Sequence, residues 1–280
     1  MFNEKYSYSS KKRKCHGQII HSSALSGPCQ MAADVMMLEK LLQIPEISLL
    51  IRFYQWEGTW LSIGKNQREL PRHWINLIKE RKLNIVRRPS GGTAVLHTGL
   101  TYSLAWLSPP IKKHQAYIAA SQWLINCFSK LGLHLQFGNH PHSFISDNCF
   151  STSSSADLVD QNGIKRIGSA QFWKRGNLLQ HGEILLDPPK ELWEEIFNTD
   201  PPKPAPKTVP RVDLERLLTE ALISHWSTLK WSHKGLEPND LKEISENSNS
   251  YLVTLSNSDF GINPESIIPS TILNKEIPKG

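Results

Sequence analysis

The sequence predicts an α+β domain. Two observations carry this: helical and strand-like segments interleave, and the strands come in short runs separated by tight glycine-containing turns. A doubly wound parallel sheet would instead show strands alternating regularly with helices. Residues 30–42 place Met31, Val35, Leu38 and Leu42 three and four apart, an amphipathic helix that Pro45 stops. Residues 49–56 and 60–63 are β-rich runs split by Glu57-Gly58-Thr59, which reads as a hairpin. Residues 71–81 form a short helix with Pro71 at its first turn. Three strands follow, at 83–88, 93–97 and 101–106, the first two joined by a turn at Pro89-Ser90-Gly91-Gly92.

The helix over 114–131 carries Tyr117, Ala120, Leu124, Cys127, Phe128 and Leu131 on one stripe, with Gly132 as its cap. Leu133, Leu135 and Phe137 alternate as a strand. Residues 165–173 and 177–187 form a hairpin about Lys174-Arg175-Gly176. A proline-rich linker over 188–210 leads to a helix over 212–229, and loose structure is expected beyond about residue 231.

Composition narrows the function classes. The chain has 280 residues, 39% hydrophobic and 21% charged, a globular balance. Its richest apolar window, 35–51, is broken by Glu39, Lys40, Gln43, Pro45 and Glu46, which excludes a spanning helix there. The net charge is +6, yet Lys5, Lys11, Lys12, Arg13 and Lys14 against Glu4 put +4 of it in the first fourteen residues. The basic excess therefore reads as a disordered polar tail over 1–16, not a nucleic-acid surface. No apolar signal core follows the basic run, so a cytoplasmic protein with no membrane partner is expected. Cys15, Cys29, Cys127 and Cys149 show neither a Cys-x-x-Cys pair nor zinc-like spacing, so no metal site and no disulfide framework are expected.

The most informative stretch is Arg87-Arg88-Pro89-Ser90-Gly91-Gly92-Thr93-Ala94-Val95-Leu96-His97. Backbone N–H groups freed by such a turn can hold an anionic or carbonyl oxygen, and an ordinary hairpin with surface arginines is the alternative. The stretch resembles the Arg-Arg-x-Ser/Thr-Gly-Gly-x-Ala-Val-x-His signature of the lipoate–protein ligase and octanoyltransferase family. Leu50-Ile-Arg-Phe-Tyr-Gln-Trp56, Ser62-Ile-Gly64 and Met31-Ala-Ala-Asp34 are similar to the family's earlier elements, with Val35 in place of a glutamate. Lys165-Arg-Ile-Gly-Ser-Ala-Gln171 and Gln180-His-Gly182 resemble its second half. The matches fall in family order over roughly residues 17–230. The resemblance implies a mixed, largely antiparallel sheet backed by helices, and a catalytic domain over 17–230; the polar, weakly patterned residues 231–280 are expected to be a loosely structured extension. Biotin ligases share that fold, but their Gly-Arg-Gly-Arg phosphate loop is absent.

Within the family, the resemblance of Asp147-Asn-Cys149-Phe150 and of the Gly-Ser-Ala-Gln after Lys165 points to the cysteine-dependent octanoyltransferases. It implies Cys149 and Lys165 as catalytic residues, with no cofactor. Octanoate would pass from acyl carrier protein to Cys149 as a thioester, and then to a lysine of a lipoyl-domain protein. Acceptors would be a glycine-cleavage H protein or 2-oxoacid dehydrogenase subunits. A lysine ammonium beside a cysteine favours the nucleophilic thiolate and can stabilise the oxyanion formed on attack. The substrate pocket would be lined by Arg87, Arg88, Ser90, Gly91, Gly92, His97, Gly168, Ser169, His181 and Gly182, His181 acting by positioning more than by proton transfer. Cys127 lies on a helical stripe and reads as core. Thr93 departs from the arginine or glycine usual after the glycine pair. The alternatives are an ATP- and magnesium-dependent lipoate–protein ligase and a non-catalytic acyl or lipoyl-domain binder.

Overall fold

The computed structural model describes residues 16–44, 46–138, 156–206 and 209–255. Its strands are β1 (His16–His21), β2 (Ile47–Tyr54), β3 (Trp60–Ile63), β4 (Asn84–Arg87), β5 (Val95–His97), β6 (Leu100–Trp106), β7 (Gln136–Phe137), β8 (Leu158–Val159), β9 (Lys165–Lys174), β10 (Asn177–Ile184) and β11 (Lys230–Gly235). The helices are α1 (Gly27–Gln43), α2 (Arg72–Lys79), α3 (Lys113–Lys130), α4 (Lys190–Phe197), α5 (Arg211–His225) and α6 (Pro238–Ser248). Eight strands form one sheet in the order β11-β1-β2-β6-β10-β9-β8-β7, and β4-β3-β5 form a second. Strands β11, β1 and β2 run parallel, and every later pair in the large sheet is antiparallel. This is the mixed, largely antiparallel α+β architecture that the sequence predicts.

Period-two alternation decides which side of the large sheet each residue serves. Leu49, Ile51 and Phe53 of β2, with Tyr102 and Leu104 of β6, pack under Trp123 and Leu124 of α3 and Leu218 of α5. Their neighbours Leu50, Ala105 and Leu179 face the other way, against Met37, Leu38 and Leu41 of α1. Arg52 and His181 are therefore delivered to the α1 side, and the ladder register puts Arg52, Ser103 and His181 in one row across β2, β6 and β10. The β9–β10 hairpin forms as expected, because Arg175 and Gly176 both adopt positive φ (50° and 75°) in its turn.

One expected hairpin does not form, and one expected turn does not join neighbouring strands. β2 belongs to the large sheet and β3 to the small one, so Glu57-Gly58-Thr59 is a crossing between sheets. β4 and β5 are separated by β3, which runs parallel to β4 and antiparallel to β5. The Pro89–Gly92 turn thus spans a strand instead of closing a pair. The close approach it requires is visible at Gly64, where an added Cβ would stand 1.9 Å from the Gly92 carbonyl oxygen. The strand expected through Leu133 shrinks to β7, and the linker over 188–210 contains α4, whose Trp193 and Ile196 are buried against the small sheet.

The expectation of loose structure from residue 231 is also corrected as far as residue 255. β11 pairs along the whole of β1, and α6 packs on α1 through Ile244, which is 2% exposed against Ala32, Ala33 and Met36. The chain then bridges from Leu252 to Val86 of β4. Helix α6 begins with a capping box between Glu237 and Asp240, and Lys40 of α1 pairs with Asp240. A boundary at residue 230 would cut this packing. His16 already belongs to β1; the rest of the expected tail, residues 1–15, and residues 256–280 lie outside the described residues. Among the described residues no helix is long and apolar enough to cross a membrane.

If α6 is part of the core, Ile244→Ala should lower the unfolding free energy by about 2–5 kcal/mol. A urea titration checks this; a change within about 0.5 kcal/mol, as at an unpacked surface site, would return this helix to the status of an appendage.

Candidate active site

A cavity of about 420 Å³ lies between the two sheets, within the size range of small-molecule sites. Its lining includes the buried Met31, Tyr54 and Trp56 and the exposed Asn66, Gly91, Gly92 and Lys113. Three sets of buried polar groups build its walls.

The first centres on Asp34, fully buried on α1. Its carboxylate accepts a hydrogen bond from Arg52 Nη2 at 2.8 Å and from Tyr54 Oη at 2.9 Å, and lies 3.0 Å from His181 Nδ1. The Arg52 guanidinium also stacks 4.1 Å above the Tyr54 ring centre. Burial alone would push the Asp34 carboxyl up, but the Arg52 charge and the His181 contact outweigh it and hold it below the usual carboxylate value. Tyr54, buried against that carboxylate, is pushed well above the ordinary phenol value. The other nitrogen of His181, Nε2, is 2.5 Å from Ser90 Oγ, so one ring ties α1 and β10 to the turn after β4.

The second set centres on Glu183, which follows His181 and Gly182 on β10. Its carboxylate accepts from the backbone N–H of Gly99 at 2.6 Å and Thr98 at 3.1 Å, from Thr101 Oγ1 at 2.5 Å, and contacts His97 Nδ1 at 2.9 Å. His97 Nε2 meets Ser62 Oγ at 2.7 Å, and its ring stacks on Trp56 with centroids 3.8 Å apart. Burial lowers the His97 pKa despite the facing carboxylate, so this ring is a neutral wall element. The third set is an ion pair at the cavity wall: Lys165 Nζ is 2.9 Å from Asp157 Oδ1, and both side chains are nearly inaccessible.

Most of the residues the sequence singles out meet here. Arg88, Gly91, Gly92, His97, Lys165, Gly168, Ser169, His181 and Gly182 all line the cavity. Arg88 is also a brace: its guanidinium donates to the carbonyls of Ser62 at 2.8 Å, Gly91 at 2.7 Å and Thr93 at 2.7 Å, fixing the turn from inside. Gly182 must be glycine, because a Cβ would stand 2.6 Å from the Tyr102 ring and 2.8 Å from Ser169 Oγ.

Two expected lining residues stand behind the wall. Arg87 turns away and donates to the carbonyls of Gly64, at 3.1 Å, and Gln67, so it shapes the loop that carries Asn66. Ser90 is buried and acts through His181. Cys149 lies outside the described residues. Cys127 is core, and burial pushes its thiol up to about 11. Among the described residues no group of three or more histidine, cysteine or carboxylate side chains is arranged to hold a metal ion.

Asp157, Glu183, Tyr54 and Trp56 belong to the site but were not selected by sequence reasoning. The acid two positions after His181, on the same strand face, was a usable signal for Glu183. Asp157 and Lys165 meet only through the β8–β9 pairing, which no local pattern reveals.

A family model described as the lipoyl protein ligase A/B catalytic domain matches residues 28–219. An octanoyltransferase LipM from Lysinibacillus sphaericus is 35% identical over 192 residues, covering 62% of this chain and 68% of the relative. One from Oceanobacillus iheyensis is 36% identical over 180 residues, covering 61% of this chain and 65% of the relative. The matches thus span about two thirds of the length of each relative. Among solved structures, the bipartite lipoate protein ligase of Thermoplasma acidophilum superposes with a TM-score of 0.63 at 15% identity, covering 91% of this chain and all of that one, a likeness of fold.

Asp34 should dominate the stability of this region. Removing one partner of a buried pair strands the other charge, so Asp34→Ala should cost about 3–5 kcal/mol in urea unfolding. Ser90→Ala removes a single buried hydroxyl and should cost only about 1–3 kcal/mol. Because the folded Asp34 pKa lies below the unfolded one, its contribution is complete above the ordinary carboxylate range and is lost as pH falls through the folded value. Acid titration of wild type against Asp34→Asn should show that difference shrinking below about pH 4.

Proposed function

This chain belongs to the lipoyl protein ligase A/B catalytic-domain family, and from that membership we propose an octanoyltransferase that carries its acyl group as a thioester on Cys149. The donor is octanoyl-acyl carrier protein and the acceptor a lysine of a lipoyl-domain protein. The observation that carries the reading is the Lys165–Asp157 pair at the cavity wall. A desolvated ion pair is costly to maintain, so one kept at the wall of a cleft marks a candidate reacting centre.

In the first half-reaction the Cys149 thiolate attacks the thioester carbonyl carbon of the donor. The carbonyl electron pair moves onto oxygen, and the Lys165 ammonium donates a hydrogen bond to that oxyanion. Asp157, 2.9 Å from Lys165 Nζ, holds that side chain in place. The oxyanion pair then re-forms the carbonyl as the carbon–sulfur bond to the carrier breaks, and the departing thiolate takes up the proton that the Cys149 thiol gave up on ionising. In the second half-reaction the neutral amine of the acceptor lysine attacks the Cys149 thioester, an amide bond forms, the bond to Cys149 breaks, and the amine proton ends on the released thiolate. Each step exchanges one acyl bond for another, so neither needs nucleotide activation. Gly91, Gly92, Gly168 and Gly182 give the acyl chain a wall without side chains, with only the small Ser169 among them. Arg88, His97 and His181 are held rigid by the contacts described above, which is how a site gains precision.

Incubation of the protein with octanoyl-carrier protein and apo-H protein should transfer octanoate without ATP, and Cys149→Ala should abolish that transfer. Modification only from free acid with ATP would replace this reading with that of a ligase. Lys165→Ala should lower kcat by about a hundredfold or more, the usual cost of one oxyanion contact. A raised KM with unchanged kcat would demote Lys165 to a binding residue.

A further inference from the structure

We propose that the acyl carrier docks on a basic rim at the cavity mouth formed by residues 111–113 on one lip and 65–68 on the other. The proposal rests on the octanoyltransferase reading and adds the place where the donor sits. Exposure gives the cavity a direction: of its lining residues Met31 and Tyr54 are 2% and 1% exposed, while Asn66, Gly91, Gly92 and Lys113 are exposed, so we take its outer end to lie at the latter. An acyl chain enters from that outer end, and its carrier protein must rest on whatever surrounds it.

Both lips are cationic. Lys65, Arg68, Lys112 and Lys113 are exposed, and none forms an ion pair with a described residue. Exposed cations elsewhere, such as Lys130 and Lys230, are also without an ion pair to a described residue; the four rim cations differ in standing within two residues of the cavity-lining Asn66 or Lys113. Glu69 is the single carboxylate within residues 65–69 and 110–114. Beside the lysines stands Ile111, the most exposed large apolar side chain among the described residues at 94%. The arrangement also opposes local stability, since Lys113 and His114 open α3 and no acid lies in its first turn. Unpaired cations around one fully exposed aliphatic residue complement an acidic surface with an apolar centre. An acidic carrier that presents its thioester on a flexible arm fits that chemistry.

The test compares two octanoyl donors, one on the carrier protein and one on pantetheine alone. The variant combines Ile111→Ser with Lys112→Glu, two exposed positions that do not line the cavity. The KM for octanoyl-carrier protein should rise about tenfold and lose most of its salt dependence, with kcat unchanged. Acylation by octanoyl-pantetheine should be unaffected. Equal effects on both donors, no effect on either, or an effect confined to the acceptor protein would overturn the docking site while leaving the function intact. Failure of the wild-type protein to be acylated by either donor would remove the functional reading and this proposal together.

Discussion

A carboxylate with no access to water must be compensated where it sits, and Asp34 is compensated by three strand residues at once. Arg52 and Tyr54 come from one strand and His181 from a strand two places away in the sheet. A one-residue slip of either strand would turn its partner to the opposite face and leave a charge buried alone. The cluster therefore fixes the seating of α1 and the register of the sheet beneath it. Through His181 and Ser90 it also fixes the turn between the second-sheet strands β4 and β5. The cavity is what remains between elements locked in this way.

The catalytic reading depends on that rigidity. Glu183 satisfies its carboxylate with two backbone amides, a hydroxyl and an imidazole, so the β10 strand bearing His181 and Gly182 has little freedom to move. Arg88 spends its guanidinium on loop carbonyls. Among these neighbours Lys165 and Asp157 form a buried ion pair on the cavity wall. Both histidines of the wall have each ring nitrogen engaged by protein groups, which makes them architectural. Thr93, the departure from the usual glycine or arginine, contributes its carbonyl to Arg88, so the brace survives any side chain at that position.

Legibility in the sequence followed the range of the interaction. Helix α1 could be read because Met31, Leu38 and Leu42 repeat locally, and the β9–β10 hairpin because Arg175-Gly176 fits a turn of positive φ. Most cavity residues could be placed because they stand in short motifs whose order resembles a known family. Strand partners could not. The alternation in Trp60–Ile63 identifies a strand but carries no record of the sheet it joins. Helix α6 was missed because one buried isoleucine among polar residues gives almost no periodicity, although Glu237-Pro238 was a usable start signal. The pairing of Asp34 with His181 spans 147 residues, and nothing local to either announces it.

Asp34 and His181 act as one unit that holds fold and site together. A double-mutant cycle on Asp34→Asn and His181→Asn, read by urea unfolding, isolates their coupling from each residue's other contacts. The expected coupling is about 1–3 kcal/mol, in the range of residues that share a buried network. Additivity within about 0.5 kcal/mol would mean that the two side chains are merely neighbours, and the cavity would then owe its shape to packing alone.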